Sequence, residues 1–229
     1  MLACVGACQV AAQSGRTSPT QKPAPPTQTL KVEPAVVICP SPVGTGVASG
    51  REFCDVPIGR SPSDGITVKL PAYKGTATLL FDLHNRQIYS EEQVRARKAY
   101  TRATATLGVL TMDNTLITRA VVQNEFRSVT DLYDRIGGGA GQGGLKAVAP
   151  CGVESVRVVL PEATAEVCIL GEKLDVQRFE GDELFSAPGR PIALISNVMV
   201  EYVPVPTKKP PARKRATTTP AKKRTATRS

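Results

Sequence analysis

The stretch Ala77-Thr78-Leu79-Leu80-Phe81-Asp82-Leu83 puts apolar residues at its odd positions and mostly polar ones between them. The same alternation returns over 102–110, where Ala103, Ala105, Leu107 and Val109 interleave with Thr104, Thr106 and Gly108. A period of two sends alternate side chains to opposite faces of an extended chain, so each run reads as a strand with one buried face. Further strands are expected from Ile66 onward, at 116–126, 145–148, 153–160, 166–170, 174–179 and 191–203. Pro71, Asp113-Asn114, the glycine run at 137–144, Pro161, Gly171-Glu172-Lys173 and Gly181-Asp182 punctuate them as turns. Only two short stretches suit a helix: one from Ser90 to about Lys98, and one from Ser128 to Ile136. The pattern predicts an all-β chain, an antiparallel β-sandwich with long disordered N- and C-terminal segments. Tryptophan is absent, which separates the chain from antibody-type domains, where a Trp packs on paired cysteines.

Composition divides the chain into four parts. Residues 1–12 are small and apolar, and residues 13–34 begin with a proline-rich run, QSGRTSPTQKPAPPTQT, that has almost nothing to bury and reads as a disordered linker. The sandwich is expected over 35–206. Residues 207–229 are again disordered by composition and carry nine cations and no acid: Lys208, Lys209, Arg213, Lys214, Arg215, Lys222, Lys223, Arg224 and Arg228. All 20 acidic residues lie between Leu30 and Pro206, alongside 18 basic ones, so that part has a net charge of −2 although the whole chain stands at +9. The high pI therefore belongs to the ends, and the sequence predicts no basic groove on the folded part.

The N-terminal run MLACVGACQVAA fits the end of a signal peptide whose start lies upstream of Met1. It has an apolar stretch but no basic residue before Arg16. Val10-Ala11-Ala12 suits a signal-peptidase site, and Val5-Gly6-Ala7-Cys8 suits a lipobox that would lipidate Cys8. Export agrees with the four cysteines of the folded part, Cys39, Cys54, Cys151 and Cys168. Cys39 and Cys54 flank a Pro- and Gly-rich segment with few packing groups of its own, and are expected to be bridged. For Cys151 and Cys168 a simple hairpin between 153–160 and 165–170 would put the two about 20 Å apart, far beyond disulfide reach. Either those strands lie in different sheets, or the two are buried free thiols.

No motif for catalysis emerges. Gly139, Gly141 and Gly144 spell G-x-G-x-x-G, but the following Leu145-Lys146-Ala147-Val148 reads as a strand, whereas a dinucleotide site needs a helix there. His84 is the only histidine and stands near no nucleophile motif; it reads as a solvent-facing turn residue. Asp113 and the Glu180-Gly181-Asp182-Glu183 cluster lack calcium-loop spacing, and Asp131 with Asp134 is a carboxylate pair of a kind any acidic sequence offers. Neither a metal site nor a small-molecule cofactor is expected.

The Lys-, Pro-, Ala- and Thr-rich tail resembles those of linker histones and of histone-like bacterial proteins. By charge alone it suits any polyanion: an anionic envelope polymer, a lipid surface or extracellular nucleic acid. The expected function is that of an exported, non-enzymatic bacterial envelope protein. Its sandwich would contact a protein or glycan partner, and its tail would attract polyanions. The alternative is a cytoplasmic protein that associates with nucleic acid through the same tail.

Overall fold

The computed structural model describes residues 29–88, 90–136 and 147–205. Two six-stranded antiparallel sheets pack face to face. The first contains β1 (Lys31–Pro34), β3 (Pro42–Thr45), β4 (Glu52–Pro57), β6 (Tyr73–Asn85), β11 (Glu154–Leu160) and β14 (Pro191–Pro204), in the order β11-β6-β14-β4-β3 with β1 also on β14. The second contains β2 (Val36–Ile38), β5 (Ile66–Lys69), β7 (Thr101–Thr111), β8 (Leu116–Phe126), β12 (Glu166–Arg178) and β13 (Gly181–Phe185), in the order β2-β5-β12-β7-β8 with β13 also on β12. A separate hairpin of β9 (Leu132–Ile136) and β10 (Ala147–Pro150) completes the β structure, and one helix, α1 (Glu91–Arg95), joins β6 to β7.

Period-two alternation builds the core as expected. Ala77, Leu79, Phe81 and Leu83 of β6 are buried, as are Ala103, Ala105, Leu107 and Val109 of β7. These faces meet Ile195 and Val200 of β14 and Val167 and Ile169 of β12 between the sheets. Burying an aliphatic side chain of this size contributes about 1.5–3 kcal/mol before entropy is counted, so this interior supplies the main driving force.

Several boundaries differ from the expected ones. The β structure starts at Lys31, not at 35, because Lys31–Pro34 pairs with β14 from Lys31↔Tyr202 to Pro34↔Met199. Four short strands, β1 to β4, occupy a region too rich in Pro and Gly for a clear alternation. Gly171-Glu172-Lys173 is not a turn but a bulge inside one continuous strand, β12. A Cβ at Gly171 would stand 2.9 Å from the Pro57 carbonyl oxygen and 2.8 Å from Ile192 Cδ1, so the strand passes there only without a side chain. Gly181-Asp182 opens β13 and is not a turn. The expected helix at 128–136 is one 3-10 turn, Val129–Asp131, running into β9. Asp131 fixes that turn by accepting from the Arg127 and Ser128 amides at 2.7 and 2.9 Å.

β11 and β12 lie in different sheets: Arg157 faces Leu80 of β6, while Cys168 faces Thr67 of β5 and Leu110 of β7. The link between them crosses from one sheet to the other. Tyr73 holds it by donating to the Pro161 carbonyl and accepting from the Thr164 amide, at 2.8 and 2.9 Å. We expect Tyr73→Phe to cost about 1 kcal/mol in urea unfolding; no change would mean that water replaces both bonds without loss.

Candidate functional site

Cys39 and Cys54 form a disulfide with their Cα atoms 6.0 Å apart. Cys39 follows β2 of the second sheet and Cys54 lies within β4 of the first, so the bond ties the two sheets together. Such bonds form and persist in oxidising compartments. Removing the bond by the double change Cys39→Ala and Cys54→Ala is expected to cost about 2–3 kcal/mol, from the freedom returned to the unfolded loop. Urea unfolding of the oxidised protein and the double variant measures it, and equal midpoints would refute it. Cys151 and Cys168 are free thiols. Cys151 is exposed, whereas Cys168 is buried under the turn that contains Gly65, and burial pushes its thiol up to about 11. The second pairing therefore does not exist, and Cys168 is a packing residue.

His84 corrects a sequence expectation. It is 0% exposed, within β6, and packs against the rings of Phe53 and Tyr133, each centroid 5.3 Å away. The β9–β10 hairpin supplies Tyr133, Ile136 and Ala149 to a second small core with Val43, Phe53 and Leu194, and so covers an outer face of the first sheet that would otherwise meet water. His84 Nε2 lies 3.0 Å from Ser196 Oγ, and Nδ1 has no partner. Burial lowers its pKa to about 4; Asp82 and Asp134 oppose that shift and Arg51 adds to it, so the ring is neutral at pH 7. The Ser–His contact looks like part of a triad but cannot act as one, because the orienting nitrogen has no carboxylate and Ser196 is itself buried.

Asp134, given no weight on sequence grounds, has a structural task. It accepts hydrogen bonds from the Ala48 amide (2.8 Å), the Ser49 amide (2.9 Å), the Ser49 hydroxyl and the Arg135 amide (2.7 Å). Burial disfavours its charge, but these donors outweigh burial and lower its pKa. Asp113 caps its own β7–β8 turn through Thr111 and Thr115, which lowers its pKa as well. Glu183 pairs with Arg178 across β12 and β13 at 2.6 Å. Among the described residues no group of three His, Cys, Asp or Glu side chains could hold a metal ion. Cys8, the glycine run with Gly139, Gly141 and Gly144, and the nine tail cations lie outside the described residues.

The feature that composition concealed is a furrow at the α1 end of the sandwich. Three adjoining clefts of ≈ 340, 450 and 540 Å³ share lining residues, Thr101 and Arg178 between the first two and Arg97 and Phe179 between the last two. Six cations line them: Arg86, Arg97, Lys98, Arg127, Arg178 and Arg190. One acid, Glu180, does so. Arg86, Arg127 and Arg178 are paired with Asp55, Glu125 and Glu183. Arg97, Lys98 and Arg190 form no ion pair among the described residues, and Arg190 stacks on Phe185. The net charge of −2 thus conceals a cationic furrow, contrary to the expectation from charge counting. Its cations come from the β6–β7, β8–β9 and β13–β14 connections and from the end of β12, positions that no spacing in the sequence links.

No family model matches the chain, and no curated protein matches it. Among solved structures it is similar in part to a sialidase, at 15% identity and a TM-score of 0.21, covering 80% of this chain and 14% of that one. It is also similar to the VP2 subviral particle of infectious bursal disease virus, at 13% identity and a TM-score of 0.23, covering 80% and 44%. The chain spans less than half the length of either, and likeness at these TM-scores carries nothing about function.

Proposed function

We propose that the chain is an exported, non-enzymatic β-sandwich binding module whose basic C-terminal segment holds it to anionic polymers or surfaces. The observation that carries the export half is the Cys39–Cys54 disulfide between the sheets, because cytosolic reductants keep such thiols reduced. The signal-like N-terminal run and the proline-rich stretch behind it agree: the first would direct export, and the second would space the sandwich from its anchoring point. Protein isolated from its host and mapped without reduction should show Cys39 joined to Cys54, with Cys151 and Cys168 alkylated as thiols. Four alkylated thiols would favour the cytoplasmic, nucleic-acid-associated alternative.

The binding half rests on nine cations without an acid after Pro206. Each cation that meets a duplex phosphate releases a counterion, so affinity for duplex DNA should fall with a log–log salt slope of up to about −8. A full-length variant with all nine replaced by glutamine should lose most binding to duplex DNA and to anionic liposomes. Undiminished binding by that variant would place the recognition in the sandwich and overturn this half of the reading.

A further inference from the structure

We infer that the furrow at the α1 end is a binding site for single-stranded nucleic acid, separate from the basic tail. Such sites combine a cationic groove that follows the phosphates with exposed aromatic rings on which bases stack. Both elements are present here. Arg97, Lys98 and Arg190, which form no ion pair among the described residues, supply the first, with the paired Arg86, Arg127 and Arg178 beside them. Phe179 supplies the second: its side chain is 73% exposed, with the Tyr100 ring beside it at 5.2 Å between centroids. The guanidinium of Arg127 lies over Tyr100 at 5.6 Å, which leaves Phe179 as the open platform. Tyr100 packs beside the Phe179 ring, which is otherwise open to solvent, and a base can cover it with a flat π-face. Flexible carboxylate chains have no ring to offer it, and a sugar presents hydroxyls around its edge and only patches of C–H on its face.

Backbone geometry supports the assignment. α1 ends on a left-handed residue, Arg97, at φ 58°. Its amide bonds to Val94 O and the Lys98 amide to Gln93 O, which is a helix stop that ordinarily takes glycine. An arginine there costs about 1 kcal/mol relative to glycine, and the result is a cation without an ion-pair partner on the furrow wall.

The site does not depend on the tail reading. β14 begins at Pro191, which lines the furrow, and ends at Pro204. At the usual rise its 14 residues put its far end, Pro204, about 40 Å from Pro191. The two readings therefore fail separately: the tail substitution tests one, and furrow substitutions in the tail-substituted chain test the other.

The test measures fluorescence anisotropy with labelled oligothymidylate, on the full-length chain with its nine tail cations changed to glutamine. Binding should be retained at low salt. Phe179→Ala should weaken it by about fivefold to a hundredfold, the loss typical of one stacked base, with an unchanged melting temperature because the side chain is exposed. The pair Arg97→Glu and Arg190→Glu should weaken it further and flatten the salt slope by about 1.4. Arg60→Glu, outside the furrow lining, should change neither. Heparin and polyglutamate serve as ring-free or hydroxyl-rimmed polyanions. Absence of oligothymidylate binding overturns the assignment. So does equal displacement by heparin with no effect of Phe179→Ala, which would assign the furrow to an acidic polysaccharide instead.

Discussion

Asp134→Ala is expected to destabilise the sandwich by about 4 kcal/mol, a loss of roughly 10 °C in melting temperature for a domain of this size. Asp134 is 2% exposed and its carboxylate accepts from four donors, three on the β3–β4 connection and the fourth the amide of its strand neighbour Arg135. A hydrogen bond to a charged acceptor contributes about 1.5–3 kcal/mol. The full sum is not expected, because the connection at 46–50 is mostly exposed and water can reach its amides once the carboxylate is gone. Asn keeps the shape but loses the charge, and should cost about half as much. Gly46 belongs to the same clasp: its added Cβ would fall 2.7 Å from Ser49 Oγ and 2.8 Å from Phe53 Cε2, against the Asp134 carboxylate itself. Gly46→Val should therefore destabilise as well, from the opposite side of the contact. Urea unfolding reads both effects, and hydrogen exchange should show the Ala48 and Ser49 amides losing protection first. A cost below 1 kcal/mol for Asp134→Ala would show that the connection is not held by this residue.

Acidification should be the second large effect. His84 titrates near 4 in the folded chain, against an ordinary value of 6.5, because burial among Phe53, Tyr133 and Ser196 disfavours the imidazolium. The unfolded chain therefore binds a proton first. The resulting stability is fully present above pH 6.5 and is lost as pH falls from 6.5 towards 4. Integrated over that window it amounts to about 3 kcal/mol. Below it, Asp134, whose lowered pKa makes the folded carboxylate hold its charge, adds a further loss at the acid end. The charged groups facing the ring are Asp82, Arg51 and Asp134; Asp82 already pairs with Arg51 at 2.7 Å, and the Asp134 oxygens already accept four hydrogen bonds, so neither carboxylate is free to pair with the new cation. His84→Phe should flatten the stability profile between pH 6.5 and 4. An unaltered slope in that variant would assign the acid sensitivity to another group.

These two effects meet in one place, the small core between the first sheet and the β9–β10 hairpin. That core is also where sequence and structure part most clearly. The strands of the main core were legible because each carries its own record of burial. In β6, β7 and β8 the alternation marks which face is wet, and the strand expected at 116–126 coincides with β8, Leu116–Phe126. The Cys39–Cys54 bond was legible too, since a short segment poor in packing groups has little else to constrain it. The charge split along the chain was a matter of counting.

The rest depends on residues that meet only after the sheets form. His84 stands at the end of an alternating run and nothing beside it in sequence covers it. Its burial comes from Tyr133, about fifty positions away, on a hairpin whose first strand reads locally as helix. The bulge at Gly171 reads as a turn locally, because a glycine between two apolar runs is punctuation unless a neighbouring strand requires the close approach. The furrow is the sharpest case. Net charge is a sum and carries no position, so −2 over the folded part allows a uniformly mixed surface or a cationic wall at one end. What decides between them is the β-sandwich topology, which brings the β6–β7 connection, the end of β12 and the start of β14 to the same end and so sets Arg97, Arg178 and Arg190 along one furrow.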